Sequence, residues 1–170
     1  HFKIKNLVVS QRGLREGLLI DIFDSPHSNP TKAAADDYET QHLEFIHRIG
    51  HKYHSHQTHC SHVWVLAKQL YDELSPIHGL PKDARQILMV ASLLHDVGKF
   101  VNLSSSHKHS YYLLKNTVFP FLSEREVTMV AVLARYHRKS PPREDHEGFK
   151  DLNAEDKKHV TKLAAILRMA

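Results

Sequence analysis

The sequence predicts an all-α bundle preceded by a short α/β stub. Three observations carry that reading: apolar residues recur at helical spacing through the later part of the chain, one strand-like run lies near the start, and a linker-like segment separates the two. The 170 residues are 41% hydrophobic and 25% charged, with only six Gly and seven Pro, which excludes a disordered, collagen-like or low-complexity chain. A chain of this size buries about two-thirds of its unfolded surface, so a real core is available. The single Cys, Cys60, excludes an intramolecular disulfide and a multi-Cys zinc knuckle, and a reducing compartment, the cytoplasm, is expected. The best apolar stretch, Ile87 to Leu94, is interrupted by Ser92 and falls far short of the ~18 residues of a membrane span. No signal-peptide apolar region precedes it, so no membrane association is expected.

Taken in order, Ile4 to Val9 reads as a strand, followed by Ser10 and a helix through Gly13-Leu14-Arg15-Glu16-Gly17-Leu18-Leu19 to about Phe23. One strand forms no sheet alone, so it either pairs with another chain or belongs to a larger α/β domain. Asp24, Ser25, Pro26, Ser28, Asn29 and Pro30 give residues 24–37 a linker composition. The expected division is a strand-helix remnant over 1–23, a linker over 24–37 and a helical domain over 38–170. Within that domain, Thr58 to Leu74 places Val63, Leu66, Ala67, Leu70, Tyr71 and Leu74 at helical spacing and stops at Ser75-Pro76 and Gly79. Pro81 to Val97 is apolar on nearly all sides and predicts a central buried helix with Gly98 as its stop. A helix from about His107 to Asn116 stops before Pro120. The next opens with a capping box, Ser123 with Glu126, and runs through Met129, Val130 and Leu133 to His137. Asn153 caps a last helix with Val160, Leu163, Ala164, Ile166 and Leu167 as its apolar positions.

The unusual count is sixteen His. His62, the adjacent pair His95-Asp96, His109 and His137 lie at helix ends or on helix faces, and imidazole nitrogen with carboxylate oxygen suits a borderline divalent metal. A bundle gathers such ligands from facing helices. The His-Asp pair closes the most buried helix, where a carboxylate is costly without a cation or a hydrogen-bond network to compensate it. Lys99, Lys108, Arg135 and Arg138-Lys139 stand beside these candidates as phosphate-binding cations or as ordinary solvated helix ends. His51, His54 and His56 read as exposed, His59 is left open between the two, and His1 is set aside. The formal charge of +4 and a pI near 9.1 are compatible with a polyanionic partner. With no aromatic platform or recognition helix, nucleic acid is not an expected partner.

The string Leu93-Leu94-His95-Asp96-Val97-Gly98-Lys99, with His62 upstream and His109 and His137 downstream, resembles the HD-domain superfamily of metal-dependent phosphohydrolases. More narrowly, the chain is similar to the C-terminal HD domain of the exopolyphosphatase and guanosine pentaphosphate phosphohydrolase (Ppx/GppA) family. The matching segments are Gly13 to Leu19, Cys60-Ser61-His62, His107 to Leu114, Arg135-Tyr136-His137-Arg138-Lys139 and Leu163 to Ala170. The resemblance implies that the first segment closes an actin-like phosphatase domain, whose glycine-rich loops carry the family's phosphatase chemistry. The six glycines here, at 13, 17, 50, 79, 98 and 148, cluster nowhere, so that reaction is not expected of this chain by itself.

For the metal, the resemblance implies one or two divalent ions, with Mn, Fe, Mg and Zn not distinguished. His62, His95 and Asp96 would hold one ion, and Asp96 would bridge to a second held by His109 and His137. The superfamily's late Asp would fall just after Ala170. Asp96 and Lys99 are the expected catalytic pair, and Lys99, Lys108, Arg138 and Lys139 the expected phosphate contacts. Two functions follow as expectations. One is an HD-type phosphohydrolase module acting on a phosphate ester or phosphoanhydride. The other is a non-catalytic module binding polyphosphate or guanosine polyphosphates and supporting a homodimer.

Overall fold

The computed structural model describes residues 32–170 apart from Lys139, and the backbone alone for residues 32–38. Over that range the chain is all-helical, with no strand among the described residues. Seven α-helices follow in order: α1 (Lys32–Lys52), α2 (Gln57–Glu73), α3 (Ser75–His78), α4 (Ala84–Leu94), α5 (Ser106–Lys115), α6 (Glu124–Arg135) and α7 (Ala154–Met169), with a 3-10 turn at Val97–Phe100 between α4 and α5. The expected stub over 1–23 lies outside the described residues. So does the start of the expected linker, whose last residues belong to α1, where Lys32-Ala33-Ala34-Ala35 are good helix formers.

Local chemistry sets the helix ends. Ser123 Oγ accepts from the Glu126 amide while Glu126 Oε2 accepts from the Ser123 amide at 2.8 Å, which is the capping box expected at the start of α6. Asn153 Oδ1 accepts from the Asp156 amide at 2.8 Å and starts α7. Gly79, at φ 56°, closes α3 in the left-handed region that a residue with a Cβ enters only at a cost.

Helix α4 is the centre. Every residue from Ile87 to Leu94 is buried, and the helix packs against α1, α2, α6 and α7. Its apolar surround leaves no solvent face, as expected from the sequence. The helix is shorter than expected. It ends at Leu94, with His95 as its cap, because the His95 ring turns back onto the Ser92 carbonyl (2.8 Å) and its own carbonyl accepts from Ser110 Oγ (2.6 Å) instead of from a following helical amide. Gly98 is therefore not the stop. It sits inside the 3-10 turn where that turn presses on α5, and its amide donates to Ser110 Oγ at 2.9 Å. A Cβ there would lie 2.1 Å from the Ser106 carbonyl oxygen and 2.2 Å from the Ser110 nitrogen.

Two buried polar groups tie the outer helices down. Asp156 on α7 is buried and takes both arms of Arg125 from α6, Nε at 2.6 Å and Nη2 closer still. His78 is buried too: its Nε2–H donates to the Tyr71 carbonyl (2.8 Å) and its Nδ1 accepts from the Leu80 amide (2.9 Å), so both ring nitrogens are satisfied. That is a structural histidine. Among the described residues no helix is long and apolar enough to cross a membrane.

Candidate metal centre

His95 and Asp96 leave the end of the most buried helix side by side, each 4% exposed. The start of α2 faces them. His59 Nε2 lies 3.9 Å from Asp96 Oδ2, and His95 Nε2 lies 3.7 Å from the same oxygen. Among the described residues, His59, His95 and Asp96 form a group whose ligand atoms all lie within 4.8 Å of one another. From the far side, the His137 ring, just past the end of α6, stacks obliquely on His95 with ring centroids 4.8 Å apart.

Hydrogen bonds fix the tautomers. His95 Nδ1 faces the Ser92 carbonyl at 2.8 Å and His137 Nδ1 faces the Ala134 carbonyl at 2.6 Å. A carbonyl only accepts, so both Nδ1 atoms carry the proton and both Nε2 atoms keep a lone pair. Burial pushes both rings toward the neutral form, His137 down to about 4. Burial alone would raise the Asp96 carboxyl. The His95 imidazole and the Lys99 ammonium, which is hydrogen-bonded to Oδ2, overcome that and hold it below the ordinary carboxylate range.

These donors fit a divalent ion. Neutral imidazole nitrogens and an ionised carboxylate are the ligand types that borderline metals take, and donors about 2.0–2.2 Å from one ion stand some 3–4 Å apart, as the nitrogens here stand from Oδ2. The backbone carbonyl behind His95 is the support that aims a metal-binding imidazole.

The expected site residues divide. His95, Asp96, His137 and Lys99 are brought together. His62 is not: it is exposed, and the α2 histidine beside Asp96 is His59, one turn earlier. His109 is half-buried on α5 and outside the ligand group. Lys108 and Arg138 are exposed, with Arg138 Nη2 donating to Ser106 Oγ at 3.0 Å; Lys139 lies outside the described residues. His51, His54 and His56 are exposed, as expected. Cys60, adjacent to His59, is buried, and burial raises its thiol to about 12, so it offers no thiolate near neutrality.

Fold and site together define a helical domain whose central helix delivers a His-Asp pair to a group of imidazoles. Residues 44–170 match the family model described as Ppx/GppA phosphatase, domain III, and the chain belongs to the Ppx/GppA phosphatase family. Similar proteins named guanosine-5'-triphosphate,3'-diphosphate pyrophosphatase include one from Pseudoalteromonas translucida, 29% identical over 142 residues, which cover 80% of this chain and 26% of that protein. One from Pseudoalteromonas atlantica is 23% identical over 98% of this chain and 31% of its own length. One from Aeromonas hydrophila is also 23% identical, with the same shares covered. The chain thus spans between about a quarter and a third of the length of these relatives.

Proposed function

We propose that this chain is an HD-type, metal-dependent phosphohydrolase module of a Ppx/GppA protein, acting on a phosphate ester or phosphoanhydride. The observation that carries the reading is the convergence of His59, His95 and Asp96, with Nε2 of His95 left as a free donor by its bond to the Ser92 carbonyl. His137 stands next to them as the ligand for a second ion. A bound divalent metal supplies Lewis-acid polarisation of a phosphoryl oxygen and acidifies water toward neutral pH. The chain's own part is to hold the ligand donors deprotonated and to place a cation at the rim. Asp96 stays ionised, and the His95 and His137 imidazoles stay neutral because burial penalises their charged forms. Lys99 neutralises Asp96 in the structure as it stands, and its half-exposed ammonium can turn to a phosphate oxygen once the carboxylate is engaged elsewhere.

The test is metal content and hydrolysis of p-nitrophenyl phosphate by the purified chain. Asp96→Ala should lose bound metal and reduce metal-dependent turnover at least a hundredfold while the circular dichroism stays helical. Equal metal content in the wild type and the variant would exclude the site.

A second reading, a module that binds polyphosphate or guanosine polyphosphates and helps a homodimer form without turning substrate over, is favoured by the exposed cations Lys99, Lys108 and Arg138. Strongly salt-dependent binding of polyphosphate with no hydrolysis at saturating metal would decide for it.

A further inference from the structure

Inside a helix a serine or threonine hydroxyl ordinarily donates to the carbonyl four residues back in its own helix. Ser92 does so onto Leu88 (2.7 Å), Thr128 onto Glu124 (2.8 Å) and Thr161 onto Lys157 (2.7 Å). Ser110, on α5 and without solvent exposure, reaches out of its helix instead. Its Oγ donates to the His95 carbonyl at 2.6 Å and accepts from the Gly98 amide at 2.9 Å.

Those two partners bracket Asp96. The last carbonyls of a helix have no amide ahead of them in helical register. The amide four residues beyond His95 is that of Lys99, and it bonds to the Asp96 carbonyl (3.0 Å) as the backbone tightens into the 3-10 turn. The Ser110 hydroxyl takes its place on the His95 carbonyl. His95 still has helical dihedrals (φ −56°, ψ −28°), whereas Asp96, at φ −97° and ψ −1°, does not, so the chain turns at the carboxylate-bearing residue itself. The direction of that side chain follows from the turn. A hydroxyl gives one proton and offers two lone pairs, which suits a carbonyl on one side and an amide on the other. Alanine at 110 would leave both groups unpaired in a buried place. The approach also needs Gly98, since a Cβ there would lie 2.2 Å from the Ser110 nitrogen.

We propose that Ser110 is the positioning residue of the His-Asp pair: its hydroxyl fastens the His95 carbonyl to the Gly98 amide and so sets the direction in which the Asp96 carboxylate leaves the bend. The consequence for a bound metal rests on the metal-centre reading above, whereas the fastening of the bend does not. His109, the preceding residue, lies outside the ligand group, so this stretch of α5 serves the centre through its serine and not through its imidazole.

Two measurements on the full chain test this, each made on the wild type, Ser110→Ala and Ser110→Thr. In EDTA, residual dipolar couplings of the amides of residues 96–98 report the orientation of the bend with no metal involved. They should change in Ser110→Ala and return to the wild-type pattern in Ser110→Thr, which restores the hydroxyl. With cobalt(II) as the probe metal, Ser110→Ala should weaken binding about tenfold, as expected for a group that aims a ligand, and shift the visible ligand-field bands, while Ser110→Thr stays within about threefold of the wild type. Should Ser110→Ala not fold, Ser110→Cys, of similar shape but a weak donor, takes its place in both comparisons. A lowered urea midpoint with couplings and cobalt bands as in the wild type marks a serine that only stabilises the fold, and overturns the proposal. Couplings that change while cobalt affinity and bands stay put overturn it as well. A wild-type chain that takes up no cobalt refutes the metal-centre reading instead, and the couplings in EDTA then decide on Ser110 by themselves.

Discussion

At the scale of single residues, the metal group turns on which histidine of α2 reaches Asp96. With 100° per residue, the buried positions Cys60, Val63, Ala67 and Tyr71 centre on one direction; His59 stands about 85° from it and His62 about 145°. His59 thus edges the buried face, and His62 points nearly away. We expect His59→Ala to lower bound metal at least tenfold and His62→Ala to leave it within twofold, measured by metal analysis after dialysis against a limiting metal buffer. The reverse order would mean that α2 is rotated from its place here. His59 was legible in the sequence, because Val63, Ala67 and Tyr71 already mark the helix's inner face and the angular count needs nothing else. The neighbouring string of histidines obscured it. His95 and Asp96 were easier to find, since a carboxylate closing an apolar helix demands compensation. That Lys99 provides it depends on the path of the 3-10 turn, which no periodicity encodes.

At the scale of elements, the junction of α4 with α5 determines where the pair points. Ser110 Oγ links the His95 carbonyl to the Gly98 amide, and the backbone of the 3-10 turn approaches α5 too closely for any Cβ at residue 98. Gly98→Ala should cost about 3 kcal/mol, the upper part of the range for overpacking, because the atoms it meets are backbone and yield little. Urea denaturation would read this as a lower midpoint at unchanged slope; a change under about 0.5 kcal/mol would show that the turn can slide. The sequence placed the helices well where ends are set by local side chains, as with Ser123 and Glu126 or with Asn153. It overran α4 and α6, just past whose ends His95 and His137 bend back onto carbonyls of those helices. Those bonds appear only when tertiary packing has removed the water that would otherwise compete.

For the whole molecule, burial of neutral imidazoles couples the fold to pH. In the metal-free protein the His95 and His137 rings titrate lower than in an unfolded chain, where histidine titrates near 6.5; for His137 the folded value is about 4. Between those values the unfolded chain takes up protons that the folded one refuses, so stability is fully present above about 6.5 and declines as pH falls. The slope is on the order of 1.4 kcal/mol per pH unit for each ring. With EDTA present, the urea midpoint at about pH 5 should therefore lie clearly below that at about pH 7.5. Equal midpoints would mean that neither ring is as dry as the bundle makes it.

Helix α4 has neighbours in every direction, and this bears on how such a chain can change over generations. A volume gained or lost at Leu88, Val90 or Leu94, each without solvent exposure, is passed to another helix and cannot be absorbed by water. A drifting sequence can vary the outer faces of α1, α2 and α7 at little cost, but a replacement on α4 must be answered elsewhere in the core. The α4 residues behind His95 and Asp96 are thus constrained by packing as well as by use, and would stay so even in a descendant that no longer uses the pair.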